Sequence, residues 1–194
     1  MNEDDPFVVF KEWMSEAEKN EINDPNAVAL ATVNESNQPD VRMVLLKEYN
    51  KNGFIFFTNL NSKKGTDLKK TPKASMCFHW KSLLRQVRIS GDISLISDDE
   101  ADKYFYSRPY LSKIGAWSSS QSKPMETRDA LLNKIDEYKN KFTDQNNVPR
   151  PGHWSGFLLS PNKIEFWKDV EGRLHQRLEY SKVSNSWERQ ILYP

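Results

Sequence analysis

The chain has 194 residues, with 28 Lys plus Arg against 27 Asp plus Glu, so no overall basic field exists to draw nucleic acid or an anionic membrane surface. Its apolar runs are far shorter than the eighteen or so residues a membrane span needs, and its acidic start, Met1 to Asp5, leads into no apolar signal core, so a cytoplasmic protein is expected. A single Cys77 excludes an intrachain disulfide, and the length suits one domain, 1–194, with a sizeable core.

Asp5-Pro6 marks a helix start, with Asp as N-cap and Pro in the first turn. Phe7, Phe10, Met14 and Ala17 then recur at helical spacing. Ala27 to Val33 reads as a strand, followed by the turn-rich Asn34 to Pro39 and a second strand from Asp40 to Tyr49. Within it, Arg42-Met43-Val44-Leu45-Leu46-Lys47 reads as a buried strand with a cation at each end. At about 3.4 Å per residue the two stand roughly 17 Å apart, and their odd separation places them on opposite faces. Unpaired charge on an apolar strand is costly, so the pattern points to a large polyfunctional ligand or to two anionic ligands; two solvated strand ends are the simpler alternative. Phe54 to Thr58 completes an antiparallel meander.

Ser62 is placed to cap a short helix ending near Thr71-Pro72, and its free amides beside Lys63 and Lys64 could receive a phosphate. Lys73 to Trp80 and Arg85 to Ile96 are further strands, with Gln86 near the start of the second. Ser97-Asp-Asp-Glu100 is a capping box opening a helix through Arg108. Tyr104 and Arg108 then share a helical face, and with Ser112 beyond Pro109 they suit a phosphate monoester. Gly115 to Ser122 reads as a close-approach loop. Leu131, Leu132, Ile135, Tyr138 and Phe142 mark an amphipathic helix. Strands follow at Gly156 to Ser160, Lys163 to Lys168, Leu178 to Val183 and Trp187 to Tyr193. Arg173, His175 and Arg177, on alternate residues, are expected on one strand face. His79, His153 and His175 have no metal-ligand spacing, so no metal is expected.

Arg42 to Lys47, Phe57-Thr58-Asn59, Ser62-Lys63-Lys64, Arg85-Gln86-Val87, Tyr104-Phe-x-x-Arg108-Pro109, Gly115-Ala-Trp117, Gln121-Ser122, Glu165-Phe-Trp167 and Arg173-Leu-His175 stand in an order and spacing that resembles the pyridoxamine 5'-phosphate oxidase family. The resemblance runs from Asp5 to Pro194. It implies a mainly β fold with peripheral helices, an FMN-binding split β-barrel, acting as a homodimer with FMN between the subunits. For FMN it implies Arg42 to Lys47, Phe57, Thr58, Lys63, Lys64, Gln86, Gln121, Ser122, Trp167 and Arg177. For the substrate it implies Lys47, Tyr104, Arg108 and Ser112 at the phosphate, with Arg173 and His175 over the pyridine ring as the catalytic pair. Phe57 and Lys63 stand where the family often has Tyr and Arg.

The implied reaction is oxidation of pyridoxamine or pyridoxine 5'-phosphate to pyridoxal 5'-phosphate, with dioxygen as acceptor and hydrogen peroxide as product. Two alternatives are a flavin oxidase of another aromatic substrate, such as a dihydrophenazine, and a non-catalytic flavin- or haem-binding split barrel. The joint presence of Tyr104, Arg108, Ser112, Arg173 and His175 speaks against the first, and the Arg173-Leu-His175 pattern against the second.

Overall fold

A computed structural model describes residues 4–194. Helix α1 (Pro6–Asn20) begins as its sequence requires, with the Asp5 carboxylate accepting from the Phe7 amide at 2.9 Å. Its apolar stripe drops Phe10 among Tyr49, Phe54, Phe78 and Trp80, and Trp13 onto Phe166. Those rings belong to strands β2 (Pro39–Asn50), β3 (Gly53–Asn59), β4 (Lys73–Trp80) and β6 (Trp154–Lys168). Aromatic edges meeting at 5 to 6 Å in this way add to the burial that drives the fold.

With β1 (Ala27–Val33) and β5 (Arg85–Leu95), these strands run in the order β3-β2-β1-β4-β5-β6, and β3 also pairs with β6. The result is a closed, six-stranded antiparallel barrel, which leaves no open edge around the ring. Alternation selects the inward residues: Val28 and Leu30, Met76 and Phe78, Val87 and Ile89, Ile164 and Phe166 all fill the interior.

Strand β6 is continuous, whereas Pro161 suggests two strands in the sequence. Between the Ser90–Lys163 and Gly91–Pro161 pairs Asn162 is an extra residue of β6, a bulge of the kind that lets a strand carry a proline. A Cβ on Gly91 would stand 2.1 Å from the Ser160 carbonyl oxygen, so only glycine allows the approach. One edge of β6 pairs with β5 over 157–168. The other pairs with β3 over 154–159 and then with β7 (Gln176–Val183) over 163–168. β8 (Ser186–Leu192) extends the sheet past β7.

Helix α2 (Lys63–Lys70) links β3 to β4, capped by Ser62 as expected. Between β5 and β6 lie α3 (Asp98–Ser107), opened by the full Ser97/Glu100 capping box, α4 (Tyr110–Ser118) and α5 (Arg128–Lys141). Two sequence expectations are corrected here. Arg108 is not helical but caps α3 in extended conformation, because Pro109 disfavours helical geometry in the residue before it. Gly115 lies inside α4, not in a loop; Ile114 and Ser118 are buried, and packing overrides the poor helical propensity. The amphipathic helix expected from Leu131 to Phe142 is found as α5, its apolar face half-buried and Leu132 46% exposed in this chain.

Arg150 fastens the helical insertion to the barrel, its guanidinium reaching Asp102 at 2.5 Å, Asp98 at 2.7 Å and the Trp154 carbonyl at 2.8 Å. On the outer face of β6, Glu165 is almost wholly buried between Arg88 and Arg177, whose Nε donates at 2.8 Å. Burial alone would raise its carboxyl, but the bonds from Arg177 and Arg88 outweigh this and hold it below the ordinary carboxylate range. Stability from this group is therefore present above the unfolded pKa, about 4.3, and is lost as pH falls through the lower folded value. Glu165→Gln is expected to lose roughly 1–3 kcal/mol at neutral pH, and the difference from the parent should shrink in acid, as read by urea unfolding at both pH values.

Candidate active site

Strand β2 lays its inner residues, including Leu46, on the core and turns the alternate ones outward. The expectation that this stretch is buried is corrected: Val41, Met43 and Leu45 are 64, 62 and 39% exposed in the chain alone, because nothing covers the outer face of the strand. Arg42 and Lys47 do fall on opposite faces. Arg42 turns inward, with NH1 donating to Thr32 Oγ1 at 2.8 Å and to the Leu30 carbonyl at 3.2 Å. Lys47 is exposed and lines a cleft of about 450 Å³ beside the strand.

Strand β2, the end of β3, and helices α2 to α4 form that cleft. It gathers Met43, Val44, Leu45 and Lys47 from β2, Phe57 and Thr58 from β3, Lys64 from α2, and Gln121 from the segment after α4. The residues expected at the substrate phosphate, Tyr104, Arg108 and Ser112, line the same cleft beside Lys47. Phe57 stacks on Tyr104 with centroids 4.0 Å apart and on Trp154 at 5.2 Å, so three near-parallel rings make one wall. Arg108 lies over the Trp154 ring at 4.7 Å.

Besides the exposed Lys47, two more shielded cations in this cleft have no carboxylate in contact among the described residues. The NH1 of Arg108 is buried with no hydrogen-bond partner among the described residues, and burial lowers the affinity of this guanidinium for its proton. Lys64 is buried too; its ammonium has the Thr58 hydroxyl at 3.4 Å, and burial followed by the nearby Arg42 charge pulls its pKa down. Buried cations of this kind ask for an anion. Lys63, by contrast, is satisfied: its Nζ lies 2.8 Å from Asp40 and 3.5 Å from Asp67, and the Asp40 bond raises its pKa. Asp40 is also 2.8 Å from Arg42, and its own carboxyl is lowered chiefly by the Lys63 bond. Lys63 and Arg42 thus stand beside the cleft rather than on its wall. Gly65 allows α2 to start here, since a Cβ would meet the Asn59 and Leu60 carbonyl oxygens at 2.7 Å.

The other expected residues gather elsewhere. Gln86, Trp167 and Arg177 lie in one register row across β5, β6 and β7. The His175 ring packs on Trp167 at 4.6 Å. The expectation that Arg173, His175 and Arg177 share a strand face is corrected. Gly172 and Arg173 both have left-handed backbones, φ 70° and 62°, in a tight turn, and β7 starts only at Gln176. Ser122, also left-handed, opens onto a neighbouring groove with Met125 and Leu131. None of this second group lines the cleft that holds Lys64 and Arg108.

Sequence reasoning quoted Asn59 and Ala116 within motifs but gave them no site role, and it passed over Trp154 and Ser119, although all four lie on the cleft wall. Trp154 follows a turn, and an isolated Trp carries no signal of the face it will occupy. Asn59 is held by the Asn61 amide at 2.8 Å, a local turn bond that the Asn-x-Asn spacing could have suggested.

Residues 14–142 match the family model described as pyridoxamine 5'-phosphate oxidase, and residues 154–194 match the model described as the pyridoxine 5'-phosphate oxidase C-terminal dimerisation region. The pyridoxine/pyridoxamine 5'-phosphate oxidase of Pelagibacter ubique is 58% identical over 98% of this chain and 92% of its own length. The protein of the same name from Allorhizobium ampelinum is 51% identical over 100% of this chain and 94% of its own. Among solved structures, PhzG from Burkholderia lata, in complex with tetrahydrophenazine-1-carboxylic acid, superposes with a TM-score of 0.93 at 30% identity, covering 100% of this chain and 94% of that one. With a closed barrel, the expected cleft and full-length relatives at this identity, the chain belongs to the pyridoxine/pyridoxamine 5'-phosphate oxidase family.

Proposed function

We propose that this protein oxidises pyridoxine or pyridoxamine 5'-phosphate to pyridoxal 5'-phosphate, with FMN as its redox group and dioxygen as acceptor, and that it acts as a homodimer of single-domain subunits. The observation that carries this reading is the buried Nη1 of the half-buried Arg108, which has no hydrogen-bond partner among the described residues, in the same cleft as Lys47, Tyr104 and Ser112 and with the buried Lys64. Two desolvated cations in one cleft fit two phosphate-bearing ligands.

When bound, FMN would take up the electrons that leave the substrate carbon and pass them to dioxygen. Lys64, Thr58 and Gln121 are suited to hold it from the cleft, with Lys63 and Arg42 beside them. Arg108 and Lys47 neutralise the substrate phosphate, while the Tyr104 and Ser112 hydroxyls donate to its remaining oxygens. Fixing the phosphate orients the rest of the substrate. The aromatic wall of Phe57, Tyr104 and Trp154 keeps water from that side.

Gln86, Trp167, Arg173, His175 and Arg177 lie on a surface apart from this cleft, and all but Gln86 fall within the region that matches the dimerisation model. The apolar outer face of β2 is exposed beside the cleft. Both features support a site completed by a second subunit, in which the partner subunit's Arg173 and His175 meet the substrate ring. Arg173 would lay its planar guanidinium over the substrate ring and hold the ring at a fixed angle for the transfer.

Sedimentation should give a dimer, and heating should release FMN and not FAD; a monomer, or FAD, would count against the reading. Under anaerobic conditions pyridoxamine 5'-phosphate should bleach the flavin spectrum, and bleaching by a dihydrophenazine alone would transfer the assignment to that substrate class. Arg108→Ala should raise the substrate Kd tenfold to hundredfold, about 1.5–3 kcal/mol, and leave FMN affinity unchanged. Arg173→Gly relieves a left-handed backbone, so it should stabilise the fold by up to about 1 kcal/mol while slowing flavin reduction. Thermal unfolding and anaerobic stopped flow on the same preparation read both effects.

A further inference from the structure

The turn from β6 into β7 carries a carboxylate with no part in the site described above. Asp169 follows the last residue of β6, and its backbone amide donates to the Leu84 carbonyl at 2.9 Å, which fixes the chain at that point. The pairing of Lys168 with Gln176 closes the turn around it. From this anchored position Oδ1 of Asp169 reaches Nδ1 of His175 at 2.8 Å.

In the neutral ring that distance favours the proton on Nδ1. A bare Nδ1 lone pair facing a carboxylate oxygen at 2.8 Å would be repulsive, whereas an Nδ1–H makes a charge-assisted hydrogen bond. The competing contact is weaker: the Val170 amide lies 3.4 Å from the same nitrogen. Trp167 packs on the ring at a tilt of 41°, so the plane of the imidazole is restrained as well as its proton. A neutral imidazole with its proton on Nδ1 offers Nε2 as an acceptor.

We propose that Asp169 is a positioning residue for His175: it holds the Nδ1–H form and the ring angle, so that Nε2 accepts a hydrogen bond from a hydroxyl or amine of the substrate. This rests on the reading of His175 as a residue that meets the substrate. Without Asp169 the proton is free to occupy either nitrogen, and a fraction of the enzyme presents a donor where an acceptor is needed. The loss falls on the rate of the bound complex, since the phosphate contacts of Arg108 and Lys47 are untouched.

The test uses the FMN-loaded protein labelled with nitrogen-15 histidine, its three imidazoles assigned by single substitution. In the parent, His175 should show a protonated Nδ1 and a bare Nε2. Asp169→Ala should abolish that preference and slow anaerobic flavin reduction at saturating pyridoxamine 5'-phosphate about tenfold, the lower end of the loss caused by removing the partner of a metal-bound histidine. FMN affinity should not change. Asp169→Asn, which keeps the size and an acceptor oxygen, should retain the parental form and most of the rate. An unchanged His175 form in Asp169→Ala overturns the proposal, as does a parental reduction rate once that form has changed. A parent whose flavin is not reduced at all overturns the functional reading itself, while a failure confined to the variants overturns Asp169 alone.

Discussion

One edge of β6 serves two neighbours, and the rest of the molecule depends on that division. Over 154–159 this edge pairs with β3 and closes the barrel; over 163–168 it pairs with β7 and leaves the ring. The cleft lies against the first half, through Trp154 and its stack with Phe57. The row of Gln86, Trp167 and Arg177 lies on the second half. A strand that ended at Pro161 would give up one of these two surfaces. The bulge at Asn162, facing Ser90/Gly91, is what lets the strand continue, because β5 has to follow both halves.

Charge is distributed in the same selective way. Asp40 and Asp67 hold Lys63, and Asp40 also holds Arg42, so these cations are neutralised within the chain and keep their geometry. Lys64 and Arg108 are left without carboxylates and are desolvated. Ligand charge is therefore expected to act mainly on the second pair, where the low local dielectric makes each contact worth more. The first pair serves as scaffold around them.

Much of this was legible in the sequence wherever a local rule and the tertiary outcome agree. Asp5-Pro6, Ser62 and the Ser97/Glu100 box opened helices as their caps require, and the meander of β1 to β3 followed its turns. The cleft residues came together because β2, the end of β3 and helices α2 to α4 converge on one place, and the short motifs that named those residues lie on these elements. Failures arose where packing or a single backbone angle overrules the pattern. Gly115 and the serines after it look like loop, yet burial of Ile114 and Ser118 winds them into α4. Arg173, His175 and Arg177 alternate as a strand would, but Gly172 breaks the chain into a turn before β7 begins. No local signal showed that one chain would place its expected ligand residues on two separate surfaces, since that is a property of the closed barrel.

The closure of the barrel also has a bearing on how the chain is made. Phe54 and Leu159, which pair across the seam, are roughly a hundred residues apart, so this contact is of high order and slow to form. During synthesis β1 to β5 emerge with the meander's outer edge on β3 and the far edge on β5 both unpaired, and the three helices of the insertion must follow before β6 arrives. Phe56 and Phe157 meet only then. Until that moment the nascent polypeptide carries two sticky strand edges, which makes the interval between translation of β5 and of β6 the period when a chaperone has most to protect.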